Sequence, residues 1–434
     1  MGIACALAAL ALLAGCGEDA ALHRPSPSSA PTEETVTITV APYAAHVVEP
    51  VMAEYMDLNP GVRIEIAAGA PDAGADLPGL ISDLEAGRPL ADVVLVDDTA
   101  RSAALARADL FRDLRGPLLD ARAADFRAWN LADGAAPDGT QVGLPLTIGP
   151  VALCFRHDLL AAAGIAQDRE ELAAALGAGG GGWDTFFELG RRYRAATGQA
   201  WFDQPQLLWE AMVGQLPTGY SAPDGTVTVE HDAALRERWD LLTAAVADGL
   251  SAGEAAWDWR GGRAFVDGSF ATMLCPSWML GLVESGVTAN GGDASTGWDV
   301  VDALPGGPLV WGADFLAVSA SAEHAQDAVA FVDWLTQAGQ HRATPDLVSA
   351  FPASLTAARE LVTSAETAPF FNDAPVMRIF AARSEGVADH VEGPLDRQIL
   401  DQAFGPVLWQ LDNGQIDAGS SWAAVVARIA DGSL

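Results

Sequence analysis

The stretch GLPLTIGPVALCFRHDLL, residues 143–160, decides the fold. It opens on Gly143 and Pro145, passes a second Gly149-Pro150 pair and becomes the apolar run Val151, Ala152, Leu153. Glycine frees the backbone and proline fixes φ, so such a segment bends at defined points and stays stiff between them. It is apolar enough for burial and lies about a third of the way along the chain. It reads as the first crossover between two lobes, with a ligand site beside it.

The 434 residues exceed what one compact core normally holds, which also favours two lobes. Upstream of the crossover, residues 35–40 alternate Thr with Val36, Ile38 and Val40, a strand pattern. A helix follows, with Val47, Val48, Val51, Met52, Tyr55 and Met56 on one face, and Asn59-Pro60-Gly61 stops it. Residues 62–66 alternate as a second strand and 77–85 form a helix. Residues 92–96 are apolar after Asp92, as in a parallel strand covered on both faces. Strand, helix, strand, helix, strand predicts a doubly wound α/β lobe whose ligand sits beyond the carboxyl ends of the strands. Those ends carry Tyr43 and Asp97-Asp98-Thr99. Asp97 and Asp98 serve either as N-cap of the helix from Arg101 or as ligand contacts, one residue for each role being compatible.

Downstream, helices are expected at 169–176, 184–197, 206–216 and 232–248, with a hairpin near Pro223-Asp224-Gly225. The glycine run at 177–182 has the GxGxxG form but follows a helix, so it is not a nucleotide loop. Residues 271–274 form a short strand, and Trp278 follows its end. A Trp there offers a flat apolar face of the size of a sugar ring, or else packs in the core. The same two readings stay open for Trp209, Trp257 and Trp311. Residues 308–318 recross to the first lobe and carry Trp311 and Asp314 where they can face the cleft. Ser321 is placed to cap the next helix, a third crossing falls near Phe351-Pro352, and a helical tail runs to Ile429. The domains are therefore 35–147 plus 313–350 for the first lobe and 148–312 plus 351–434 for the second.

The net charge is −34, so the surface repels nucleic acid. All 24 basic residues are Arg, which excludes a P-loop lysine, a Schiff base or any catalytic ammonium. The seven His are scattered, with no HExxH motif and no GxSxG elbow, so neither a metal nor a cofactor is expected. Among four cysteines, Cys154 and Cys275 fall on second-lobe strands. They are either a disulfide, as two leftover cysteines of an exported chain usually are, or two buried thiols.

Three segments carry a family resemblance. DGTQVGLPLTIGPVALCFRHDLLAAAGI (138–165), EAAWDWRGGRAFVDGSFATMLCPSWMLG (254–281) and GGPLVWGADFLAVSASAEHAQDAVAFVDWL (306–335) resemble, in order, the conserved segments of family 1 extracellular solute-binding proteins. AVVARIADG near the end extends the likeness. The chain departs at Cys154-Phe155, where the family usually has an aromatic pair, and at Trp311-Gly312-Ala313-Asp314, where small residues are usual. The resemblance implies a type II periplasmic-binding-protein fold: two doubly wound lobes joined by three crossover segments. It further implies a monomer that captures a sugar for the permease of an ABC importer, without enzymatic chemistry. It makes Trp278 a ligand-stacking residue.

The N-terminus fits that implication. Residues 3–14 are one apolar run of signal-sequence length, ending in Leu13-Ala14-Gly15-Cys16. This resembles the lipobox of bacterial lipoproteins, with residues 1–16 as signal peptide and lipobox and Cys16 as the lipidated residue. Residues 17–34, rich in Pro and Ser, read as a disordered tether. The expected location is the outer face of the cell membrane. Two other functions stay open: a cell-surface glycoside hydrolase, and a binder of a non-sugar such as a polyamine, whose cleft would hold carboxylates rather than aromatics.

Overall fold

β4, Gly143–Arg156, is fourteen residues long and buried at every position. In the computed structural model, which describes residues 35–68, 77–177, 181–222, 224–255, 257–340, 351–363, 366–388 and 390–431, this strand belongs to both halves of a nine-stranded sheet. Its first half pairs antiparallel with β8, Val310–Val318, from Gly143↔Ala317 onward. Its second half pairs with β6, Phe270–Pro276, and β7, Trp298–Val301. The register shifts between Pro145 and Thr147 and again between Ile148 and Pro150. Proline lacks the N–H that a strand interior must donate, so both prolines fall at the irregularities where the ladder tolerates them. β9, Phe351–Pro352, pairs with Thr147 and Ile148 at the same bend. The three segments expected to cross thus lie together. The expectations for residues 1–34, including Cys16, fall outside the described residues.

On one side of the bend the strand order is β2-β1-β3-β8. β1 (Val36–Val40), β2 (Val62–Ile66) and β3 (Val93–Val96) are mutually parallel where they pair, as the strand-helix-strand order predicts. Helices α1 (Ala45–Leu58) and α2 (Leu77–Ala86) connect them, and α3 (Asp98–Ala106) follows β3. Val47, Val48, Val51 and Tyr55 of α1 bury against Ile38, Val40 and the helix Ala325–Leu335. Ser321 does not cap that last helix. His324 is its N-cap residue, and the Ser321 hydroxyl pairs instead with that of Ser319. The turn lies three residues later than the sequence suggests.

On the other side β5 (Ala200–Phe202) runs parallel to β6. Its core is aromatic: Phe186, Phe187, Trp201, Trp209, Trp239 and Phe404 are all essentially inaccessible. The helices Arg169–Leu176, Trp183–Thr197, Pro205–Gly214 and Ala233–Ala247 fall within two residues of expectation. The hairpin reduces to a single bridge, Ser221↔Val227, with Pro223 outside the described residues. The tail is helical, including a π-helical turn at Leu400–Phe404. Phe126 and the partly buried Trp129 and Leu131 pack with Ile148, Ala152 and Phe351. The polypeptide before residue 147 therefore also contributes to the core on the far side of the bend.

Cys154 and Cys275 are joined, with Cα atoms 5.5 Å apart. Cys154 opposes Met273 and Cys275 opposes Ala152, so the pair is a diagonal contact on one face of β4 and β6. The bond closes a loop over a sequence separation of 121. In the chain-entropy model that constraint on the unfolded state is worth about 4–5 kcal/mol. A Cys154→Ala/Cys275→Ala double variant is expected to keep the fold and lose about 3–5 kcal/mol of stability, read from the shift of its denaturant midpoint.

Candidate functional site

The carboxyl ends of β1 and β3 are tied together. Asp97 follows β3 and caps α3, its Oδ1 accepting from the Ala100 N–H at 3.0 Å. Its Oδ2 accepts from the Tyr43 hydroxyl at 3.0 Å, just past the end of β1. Of the two neighbouring carboxylates, Asp97 is thus the cap and Asp98 the first helical residue. Asp98 accepts from the backbone N–H groups of Gly312 (2.8 Å) and Ala313 (3.2 Å) in β8, and pairs with Arg101 at 2.8 Å. Arg101 also reaches Glu392 at 2.7 Å, from the other end of the chain. Asp314 of β8 accepts from the Thr147 hydroxyl of β4 at 2.7 Å, across the register pair Thr147↔Asp314.

These groups are acids in a poor solvent. Burial pushes Asp314 up to about 7, and the charges of Asp98 and Asp97 add to it, against the hydrogen bond from Thr147. Burial likewise raises Asp98 against the pull of Arg101, and raises Asp133 to about 6. The Tyr43 hydroxyl is held well above its usual value by burial and by Asp97 and Asp314. All are therefore strong hydrogen-bond partners kept short of full solvation.

Beside them is an aromatic wall. Trp278 is the N-cap residue of the helix Met279–Ala289, and its indole N–H donates to the Trp311 carbonyl at 3.0 Å. Trp257 stacks on Trp278, with centroids 5.8 Å apart and planes 24° apart, and meets Trp311 edge-on at 6.1 Å. Trp257 remains 54% exposed. The bend in β4 runs directly beneath this wall. A Cβ on Gly149 would collide with the Trp311 carbonyl and stand 2.9 Å from Trp278 Nε1, so only glycine lets the strand pass.

Wall and carboxylates line one cavity of about 1610 Å³. It holds Tyr43, Asp97, Asp98, Asp314, Trp257, Trp278 and Trp311 together. Trp209 is not among them. It is fully buried, 5.1 Å from Trp239 and 4.9 Å from Phe404. The helix Pro205–Gly214 offers Gln206, Glu210, Ala211, Val213 and Gly214 to the cavity, and Trp209 sits at the flank of that face, where Trp239 and Phe404 draw it into the aromatic core. The cavity also recruits residues the sequence reading missed: Arg101, Trp129, Asp133, Glu210, Tyr220, Glu392 and Arg397. Arg101 was detectable, three residues after Asp98 on one helical face, and Trp129 with Asp133 are an i, i+4 pair on the short helix Ala128–Asp133. Glu392 and Arg397 carry no local signal. Eight carboxylates line the cavity against three guanidiniums, so the site is rich in acceptors and net negative.

A family model described as bacterial extracellular solute-binding protein matches residues 51–374. A search of curated proteins returns no match. Among solved structures, an extracellular solute-binding protein of family 1 is 31% identical with a TM-score of 0.83, covering 92% of this chain and 100% of its own. The galacto-N-biose-/lacto-N-biose I-binding protein of an ABC transporter from Bifidobacterium longum, in complex with lacto-N-biose, is 19% identical with a TM-score of 0.70, over 92% of this chain and 97% of its own. The sugar-binding protein MalE from Xanthomonas citri is 16% identical with a TM-score of 0.68, over 91% and 97%. The last two speak to the fold alone. That fold is the two-lobe, type II arrangement the motifs implied.

The carboxyl at Asp314 provides a test of the site's electrostatics. Its folded pKa of about 7 lies above the ordinary 3.8, so the native state keeps a proton there that the unfolded chain has released. This group's contribution to stability is full below pH 4, falls as pH rises through the window from 4 to 7, and stays lost above it. Asp314→Asn is expected to stabilise the protein at pH 8 by about 1–3 kcal/mol and to have almost no effect below pH 4. Denaturant titrations of both proteins at the two pH values measure the difference.

Proposed function

As this chain belongs to the bacterial extracellular solute-binding proteins, we propose that it captures a neutral sugar, of oligosaccharide size, and delivers it to the permease of an ABC transporter. The observation that carries the reading is the stacked Trp257–Trp278 pair with Trp311, lining the same cavity as Asp97, Asp98 and Asp314. Sugar rings present an apolar C–H face to the indoles, and their hydroxyls donate to the carboxylates. The cavity volume exceeds the usual few hundred to about 1000 Å³ of small-ligand sites, which favours more than one sugar unit.

The mechanism is closure, not chemistry. The ligand binds between residues 35–147 with 313–350 on one side and 148–312 with 351–434 on the other. The two sides move about β4, β8 and β9, where the register breaks at Pro145 and Pro150 give the bend its place. Higher affinity for the closed arrangement draws the population toward it. The protein works as a monomer, held by a lipid on Cys16 to the outer face of the membrane, with residues 17–34 as its tether. That anchor predicts that Cys16→Ser expressed in a lipoprotein-processing bacterium moves from the detergent phase to the aqueous phase on phase partition.

A second reading has one observation in its favour. The excess of carboxylates over guanidiniums in the cavity suits a ligand carrying basic nitrogens, such as a polyamine. Calorimetry separates the two. A panel of neutral mono- and oligosaccharides is expected to include a saturable binder, with spermidine giving no comparable heat. Spermidine binding that weakens steeply with salt, and no sugar binding, would reverse the assignment. For the sugar that binds, Trp278→Ala is expected to weaken affinity by about 10–100-fold through loss of the stacking face.

A further inference from the structure

The indole of Trp257 reaches the cavity from a costly piece of backbone. Trp257, Trp259 and Arg260 all have positive φ, at 66°, 37° and 50°, a region that bulky side chains rarely enter. Gly261 and Gly262 continue the left-handed path. Such a turn persists only where its surroundings hold it at several points. Arg260 is held by Glu254 at 2.6 Å, Asp267 at 3.0 Å and Ser269 at 2.8 Å, and three more anchors are visible. The Asn290 amide donates to the Gly261 carbonyl at 2.9 Å. A Cβ on Gly262 would lie 2.8 Å from the Gly286 Cα, so turn and helix touch backbone to backbone. Both of these tie the turn to the helix Met279–Ala289, whose N-cap is Trp278.

The third anchor is a carboxylate with no other evident purpose. Asp203 follows β5 at its carboxyl end, is 1% exposed, and accepts the Trp259 indole N–H on Oδ2 at 3.0 Å. Its Oδ1 is buried with no hydrogen-bond partner. Burial pushes this carboxyl up to about 7, against the Trp259 hydrogen bond, with Glu254 adding to the rise. An acid kept at such a place destabilises the fold unless the geometry it enforces is useful. Trp259 is itself 4% exposed, so the contact is dry and directional.

We propose that Asp203 is a positioning residue for ligand recognition: by accepting the Trp259 indole N–H it fixes the left-handed turn that presents Trp257 to the cavity against Trp278. The inference rests on the reading of Trp257 and Trp278 as ligand plates, but its first test needs no ligand. Indoles at these separations couple excitonically and give a circular dichroism couplet, and the difference between wild type and Trp257→Phe reports the coupling of Trp257 to Trp278, Trp259 and Trp311 together. Asp203→Ala is expected to lose most of that couplet while keeping its helical signal and a cooperative melt. Asp203→Asn is expected to retain it, because the amide oxygen accepts the same N–H. If Asp203→Ala does not fold, Asp203→Leu fills the buried space without an acceptor and is expected to lose the couplet equally. A folded Asp203→Ala or Asp203→Leu with the wild-type couplet would overturn the proposal, and so would an Asp203→Asn as defective as the alanine variant. In titrations with maltotriose, the alanine variant is expected to bind about tenfold more weakly or worse and the asparagine variant within about threefold of wild type. Failure of the sugar reading shows differently, as wild-type protein that binds no member of the saccharide panel while the couplet still responds to Asp203→Ala.

Discussion

The structure depends on one strand staying buried while it changes partners. Over fourteen residues β4 passes from β8 to β6 and β7, and every position is inaccessible to solvent. A buried backbone must place its donors and acceptors, and a change of partners normally leaves some orphaned. Here the transition coincides with two prolines, which have no N–H to place, and with a glycine that lets the Trp311 carbonyl close over the strand. The same crowding delivers the Trp278 indole N–H to that carbonyl. The bend that joins the two halves of the sheet and the aromatic wall of the cavity are therefore one packing solution.

The acidic side of the cavity obeys a different economy. Asp97 is occupied by a helix N-terminus and a tyrosine hydroxyl, and Asp98 by two backbone amides and Arg101. Those contacts orient the carboxylates without filling them, since each oxygen accepts more than one hydrogen bond. Asp314 and Asp133 are less well served, and their raised pKa values are the physical signature of acceptors short of donors. A polyhydroxylated guest supplies donors, and an ammonium supplies donors with charge. The proposed sugar reading prefers the first because four indoles line the same cavity.

Much of this was legible from residues alone, where a local pattern met a local rule. Alternating Val and Ile gave β1 and β2 within a residue, and Pro145, Gly149 and Pro150 marked the bend before any pairing was known. The Asp97-Asp98 pair was readable as one cap and one ligand contact, but not which residue would be the cap, because the choice depends on the extended backbone of Asp97. Trp209 misled because aromatic character says nothing about helical phase, and the face of Pro205–Gly214 that meets the cavity is chosen by Trp239 and Phe404, distant in sequence. Glu392, reaching Arg101 across 291 residues, has no signature that a single sequence carries. Ser321 shows the opposite error, a good capping residue one turn too early for its helix.

The central claim is that β4, β8 and β9 form a bend about which two rigid halves close on an uncharged guest. Small-angle X-ray scattering of the protein, without and with a saturating concentration of the sugar that calorimetry identifies, tests it most directly. The account predicts a smaller radius of gyration and a shorter maximum dimension in the bound sample. Superimposable scattering curves at full saturation would contradict it.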